Sequence, residues 1–311
     1  IATPQPMAAP TTLHRSVELA GTLPALMIAA DRVASTVIQG VHGRRRVGQG
    51  DAFWQYRPFR DGDSATQIDW RQSARSRHLF VRETEWEAAA SVWLWRDASP
   101  SMQYASLKNA DTKAVRGELI TLALASLLAD AGERVAVLGG GMRPTSGRVA
   151  VRRVAETLFD ETRHLGEPSS TQKRALPSLP PQVPLPAHGT IVLVSDWLDP
   201  LDRIEAVIRY YASVGVRGHL VQVLDPAEED LPFNGHVKFE GLEAEGQHTI
   251  RRVEAVRADY GARLAAQKEG LQRLVRPANW TVHLHRTDRP PQTVLLSLYL
   301  AMADLRRLNA G

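Results

Sequence analysis

The sequence predicts an α/β protein built on a doubly wound, mostly parallel sheet of Rossmann type, preceded by a helical and loop-rich N-terminal subdomain with many arginines and aromatics. Three observations predict it. Five short β-branched or apolar runs, "SVWLW" at 91–95, "RVAVLG" at 134–139, "TIVLVS" at 190–195, "HLVQVL" at 219–224 and "TVHLH" at 281–285, have the length and composition of buried strands. Stretches of helical periodicity lie among them, near 111–131, 148–160, 201–213, 250–276 and 291–307, and strands that alternate with helices imply a parallel sheet covered on both faces. Finally, the 91–95 and 190–195 runs lead into small oxygen-bearing residues, "DASPS" and "SD", at the strand ends where such sheets carry their ligands.

Taken in order, residues 1–12, "IATPQPMAAPTT", form a Pro/Ala/Thr-rich segment without a basic or apolar stretch and are expected to be a disordered tail. From 13 to 41, apolar residues at helical spacing end at Gly40, which predicts one or two helices. Residues 42–86 lose that periodicity and gain turn residues, so loops and short strands are expected. The chain therefore divides into the 1–12 tail, an N-terminal subdomain over 13–87 and an α/β domain over 88–311. Within the latter, "LPSLPPQVPLP" at 176–186 predicts an extended surface connection.

Composition bounds the function. The 311 residues are 43% apolar and 23% charged with a formal charge of +4, so a basic surface must come from local clustering. The absence of cysteine excludes disulfides, thiolate nucleophiles and Cys-ligated zinc, and fits a reducing compartment, so a cytoplasmic location is expected. "LITLALASLLA" at 119–129 is about half the length of a membrane-spanning helix and predicts a buried one, so no membrane span is expected.

Asp97 ends the first core strand and Asp196 occupies the matching end of a later one; if those strands are neighbours at the reversal of strand order, both carboxylates reach one crevice. Ser99 and Ser101 lie in the loop leaving the first strand, where their hydroxyls can turn back to the same place. Two carboxylates and two hydroxyls form an all-oxygen group suited to a hard cation, Mg²⁺ or Mn²⁺. The competing reading is that Asp97 and Ser99 cap the following helix.

Residues 43–87 carry Arg44, Arg45, Arg46, Arg57, Arg60, Arg71, Arg75, Arg77 and Arg82 with Trp54, Tyr56, Phe59 and Trp70 among them, and no lysine. Arginines with aromatics can hold phosphates and stack bases. Yet Asp51, Asp61, Asp63, Asp69, Glu83, Glu85 and Glu87 share the stretch, which favours an internal Arg–carboxylate network bracing a small subdomain, with "IDW" as an anchor and Trp70 buried. Nucleic-acid binding is the lesser alternative.

Enzyme motifs are missing: "GGGMRPTSG" lacks the Gly-Lys-Ser/Thr ending of a phosphate-binding loop, and H-E-x-x-H and G-x-S-x-G do not occur. His283 and His285 share one strand face but have no third zinc ligand beside them. The surviving enzymatic alternative is Mg²⁺-dependent phosphoryl transfer with Asp97 as nucleophile, against which Ser99 stands where a second carboxylate is wanted. A non-catalytic binding module is the expectation.

The D-x-S-x-S pattern of Asp97, Ser99 and Ser101 resembles the metal-ion-dependent adhesion site of von Willebrand factor A domains, with Asp196 matching their later strand-end aspartate. That resemblance implies a further hydroxyl ligand on an intervening loop, for which Thr171 is the candidate and Ser170 and Thr145 are rivals. The wider series "YRPFRDGD", "IDWR", "LFVRE" and "DASPSM", with "VLDPAEEDLPFNGHVKFEGLEAEG" at 223–246 and "LHRTDRPP" at 284–291, resembles the domain-of-unknown-function 58 (DUF58) family. Such proteins are similar in fold to von Willebrand factor A domains and are typically encoded beside MoxR-type AAA+ ATPases. The resemblance implies an adaptor or partner of such an ATPase or its client, docking a carboxylate on a bound Mg²⁺ or Mn²⁺.

Overall fold

The computed structural model describes residues 25–38, 53–59, 68–75, 78–84, 91–107, 110–165, 177–240 and 246–307. The chain divides into two compact units, Gly40–Ala89 and the remainder.

A helix over 25–38, α1, belongs to the larger unit: Ala30, Val33, Ala34 and Val37 lie in its main apolar cluster, and Ser126 Oγ donates to Asp31 Oδ1 at 2.8 Å. The sequence reading grouped 13–41 with the arginine-rich segment. The stripe at positions 30, 33, 34 and 37 has helical spacing and needs an apolar surface, which the α/β core supplies.

In the smaller unit, β1 (Phe53–Pro58) pairs antiparallel with β2 (Phe80–Thr84), with a register shift between Phe53 and Gln55. The single-turn helix α2 (Trp70–Ser73) is tied to β2 through Ser73, whose Oγ donates to the Asp69 carbonyl at 2.8 Å and accepts from the Phe80 N–H at 2.9 Å. Trp70 is not the buried anchor expected: it is 64% exposed, and Ile68 and Ser73 are the buried positions. A one-turn helix has room for little inward surface, and the chain on either side of Trp70 fills it. Arg71 and Arg75 are exposed; Arg44, Arg45, Arg46, Arg60, Arg77 and the side chains of Arg57 and Arg82 lie outside the described residues.

The larger unit runs β3 (Ser91–Arg96), α3 (Lys113–Asp130), β4 (Arg134–Val137), α4 (Gly147–Leu165), β5 (Thr190–Ser195), α5 (Leu201–Ser213), β6 (Arg217–Leu224) and α6 (Pro226–Asp230). It continues with the antiparallel pair β7 (Val237–Glu240) and β8 (Gln247–Ile250), then α7 (Val253–Val275), β9 (Thr281–Arg286) and α8 (Pro291–Arg307). Five strands form one parallel sheet in the order β4-β3-β5-β6-β9. The chain enters at β3, adds β4 on one side, returns to place β5 on the other, and continues outward. The order therefore reverses between β3 and β5, the switch point of a doubly wound sheet.

Alternation along each strand builds two cores. Val92 and Leu94 of β3, with Val135, Val137, Val192, Val194, Val221 and Val223, pack against α1, α3, α4 and α8. Trp93 and Trp95, with Ala136, Ile191, Leu193 and Leu220, face α5 and α7. The 119–129 run is buried inside α3, and among the described residues no helix is long and apolar enough to cross a membrane.

The Pro-rich connection has no regular secondary structure over 177–186, yet it is more than a surface strap. Leu179, Val183 and Leu185 pack on the second core, and Tyr211 donates its hydroxyl to the Pro181 carbonyl at 2.5 Å while accepting from the Val183 N–H. An extended proline segment, pre-ordered and with few backbone donors to satisfy, covers sheet area that a helix would otherwise cover.

One close approach carries a prediction. In β6, a Cβ on Gly218 would sit 2.1 Å from the Trp280 ring, whose Nε1 donates to Val216 O at 3.0 Å. Gly218→Ala is expected to destabilise the protein by about 3 kcal/mol through overpacking; equal denaturant midpoints for variant and wild type would contradict that packing.

Candidate functional site

At the switch point, the end of β3 stays in register with β5: the Asp97 N–H donates to Val194 O at 2.8 Å. The Asp97 side chain is fully buried. Its Oδ1 accepts from the Ser99 N–H at 2.7 Å, closing an Asx turn, and its Oδ2 accepts from Ser195 Oγ at 2.8 Å. Pro100 then starts a 3-10 turn, Pro100–Gln103, in which Ser99 makes no side-chain capping bond. Instead Ser99 Oγ lies 3.0 Å from Ser101 Oγ, and Ser101 Oγ donates to Asp196 Oδ2 at 2.9 Å. Asp97, Ser99, Ser101 and Asp196 thus form one bonded chain across the β3–β5 boundary, and capping does not explain Ser99.

Asp196 is aimed by the residue after it. Trp197 is fully buried with φ at 54°, a left-handed conformation that costs a bulky residue energy and persists only when its surroundings enforce it. Here the indole Nε1 donates to Val221 O at 3.1 Å, the Trp197 N–H donates to Ser195 Oγ at 3.2 Å, and Gln267 Nε2 donates to Trp197 O at 2.9 Å. Gln222 Nε2 holds the Asp196 carbonyl at 2.9 Å, and the Leu198 N–H reaches Asp196 Oδ1 at 3.3 Å.

Sequence reasoning missed the cation in this crevice. Lys113, the first residue of α3, has a fully buried side chain whose Nζ lies 2.9 Å from Asp196 Oδ2 and 2.5 Å from Glu228 Oε1. A cation at a helix N-terminus opposes the helix dipole, so these carboxylates rather than the helix hold it there. Glu228 is fixed by the capping box of α6, in which its Oε2 accepts from the Asp225 N–H at 2.8 Å. Asp225 in turn ties the loop after β3 to the same point, its Oδ2 accepting from the Ser106 N–H at 3.0 Å. Two signals were legible: "DPAE" at 225–228 is a capping box directly after a strand, and a lysine opens a helix in a chain with five lysines among its 38 basic residues.

Electrostatics follow burial. Desolvation pushes the Asp97 carboxyl up to about 6, against its bonds from Ser99 and Ser195 and with a further push from the Asp196 charge. Burial alone would depress the Lys113 ammonium; the Asp196 and Glu228 carboxylates outweigh it and hold the group above the ordinary lysine range. Glu228 is raised by burial in spite of Lys113.

The remaining candidates fall elsewhere. Thr171 and Ser170 lie outside the described residues. Thr145 pairs antiparallel with Val135 on the edge strand β4, exchanging both backbone bonds with it, and is not bonded into the cluster. His283 binds Ser297 Oγ at 3.0 Å and Thr281 Oγ1 at 2.8 Å, a structural use of the imidazole. Among the described residues no three His, Asp or Glu side chains are grouped to hold a metal. A divalent ion would therefore depend on the serine hydroxyls. By type, the oxygens of Asp97, Ser99, Ser101 and Asp196 suit a hard cation, with the Lys113 ammonium already on one of them.

Fold and site together define a doubly wound α/β protein with a buried carboxylate, hydroxyl and ammonium cluster at its switch point. The chain belongs to the family described as "Protein of unknown function DUF58", whose model matches residues 55–270. Uncharacterized proteins of Mycobacterium tuberculosis and Mycobacterium bovis are each 24% identical over 291 residues, which cover 88% of this chain and 86% of the relative. No solved structure matches significantly.

Proposed function

We propose that the protein is a non-catalytic, metal-dependent interaction module of the von Willebrand factor A type, acting as partner or adaptor of a MoxR-type AAA+ ATPase in bacterial protein-complex assembly or maturation. The observation that carries the reading is the bonded chain from Asp97 through Ser99 and Ser101 to Asp196 at the switch point. It brings together four of the five residues that the adhesion-site resemblance names, the fifth, Thr171, lying outside the described residues. A Mg²⁺ or Mn²⁺ held by these oxygens supplies, when bound, an open coordination position for a carboxylate of the ATPase or its client.

Two further features support binding over chemistry. Asp97, the nucleophile of the phosphoryl-transfer alternative, has no exposed surface and spends both carboxylate oxygens on internal bonds. The loops that leave β3 and β5 and carry the cluster also expose Leu107 and Leu198, which are 50% and 42% accessible, the latter with its N–H on Asp196 Oδ1. Apolar side chains around a small polar centre suit a protein partner.

The test is capture of a MoxR-type AAA+ ATPase from the same bacterium, with Mg²⁺, with EDTA, and with Ser99→Ala or Asp196→Ala. Binding is expected with Mg²⁺ alone, and loss of about tenfold or more in affinity is expected from chelation or either substitution. Capture that ignores both would overturn the metal-dependent reading.

A further inference from the structure

The metal-dependent reading leaves Lys113 without a role, although its ammonium is fully buried in the crevice. Asp196 Oδ2 accepts from both Ser101 Oγ and Lys113 Nζ, each at 2.9 Å, which uses the two lone pairs of that oxygen. A divalent cation drawing on the same oxygen would meet the ammonium at contact distance, and two cations cannot share one carboxylate oxygen without repulsion. Lysine, unlike arginine, is a compact charge on a flexible four-carbon stem. Here it has a second anchor already in place, Glu228 Oε1 at 2.5 Å, fixed by the α6 capping box.

We infer that Lys113 is a tethered counter-ion of this site: its ammonium neutralises Asp196 in the absence of a divalent cation and withdraws onto Glu228 when one binds, so that the two compete for Asp196. The inference rests on the metal-binding reading and adds to it a built-in rival. The cluster then stays assembled without metal, and affinity for Mg²⁺ is set by how readily the ammonium moves to Glu228.

Calorimetric titration with Mg²⁺ and Mn²⁺ of wild type, Glu228→Gln and Lys113→Met/Glu228→Gln tests this. The double variant loses one positive and one negative side chain, so its net charge equals that of the wild type and a gain reports the freed oxygen rather than the field. Tighter binding by about tenfold or more is expected for it, and weaker binding for Glu228→Gln, where the ammonium keeps only Asp196. Equal affinity in wild type and double variant would overturn the competition and leave the metal site standing; no binding by either would remove both. A second readout needs no variant to fold well. With five lysines in the chain, ¹³C-lysine-labelled wild type gives a simple ε-methylene spectrum, in which one buried signal, assigned by its loss in the double variant or by its protection from solvent, should move on saturation with Mg²⁺. An unmoved Lys113 signal at saturation also overturns the proposal.

Discussion

Lys113→Met is expected to lower the stability of the folded protein by about 3–5 kcal/mol, the cost of breaking a buried ion pair from one side. The substitution keeps the length and apolar stem of the side chain but leaves Asp196 and Glu228, 2.9 Å and 2.5 Å from the ammonium, facing each other without a counter-ion. Neutralising one of them should restore most of the loss, so Lys113→Met/Glu228→Gln is expected to be more stable than Lys113→Met. Urea unfolding of the three proteins measures this. A single variant as stable as wild type would show that the ammonium is not what holds the two carboxylates together.

Acid is expected to destabilise the protein well before ordinary carboxylates titrate, because three imidazoles are buried neutral. Desolvation lowers His219 to about 3, with help from His283 and Arg217, and lowers His283 and His285 to about 4 each. As pH falls below about 6.5 the unfolded chain takes up protons at these positions and the folded chain does not, so stability falls with pH from there down to about 4. Between about pH 7 and pH 5 each histidine contributes a loss of about 2 kcal/mol. Asp97 works in the opposite sense: its raised carboxyl takes a proton in the folded state first, and the same range returns about 1 kcal/mol. Glu228 shifts in the same direction as Asp97. A net loss of several kcal/mol remains. His285→Leu should flatten the pH dependence of the unfolding free energy from urea titration by about one proton, or about 1.4 kcal/mol per pH unit; an unchanged slope would place His285 outside the titrating set.

The sheet was legible because its signal is local. Each of the five runs is short, apolar and followed by helical periodicity, and the 201–213 and 291–307 helices match the observed elements in both bounds. Both strand ends of the site could be read for the same reason: "DASPS" and "SD" are contiguous with their strands. Lys113 and Glu228 were not read, because their role depends on strand order. The Lys113 ammonium meets Asp196 and Glu228 across sequence separations of 83 and 115 residues, and only the placement of β6 beside β5 brings the α6 cap to the crevice. Trp70 was misjudged for a related reason. The run "IDW" reads as an anchor, but Ile68, before the one-turn helix, and Ser73, at its end, take the buried positions and leave the indole outside. The Pro-rich segment reads as extended, while its packing on the second core depends on Tyr211, 30 residues from Pro181 in sequence.

The central claim, that the β3–β5 crevice binds a divalent cation through its serines and aspartates, is tested most directly by anomalous diffraction from crystals of the wild-type protein grown with Mn²⁺. A single strong anomalous peak is expected within coordination distance, about 2.0–2.3 Å, of the Ser99 and Ser101 hydroxyls, directly or through water to Asp97 and Asp196, with Lys113 Nζ withdrawn to Glu228. A crevice without a peak at saturating Mn²⁺, with Lys113 still on Asp196, would contradict the account.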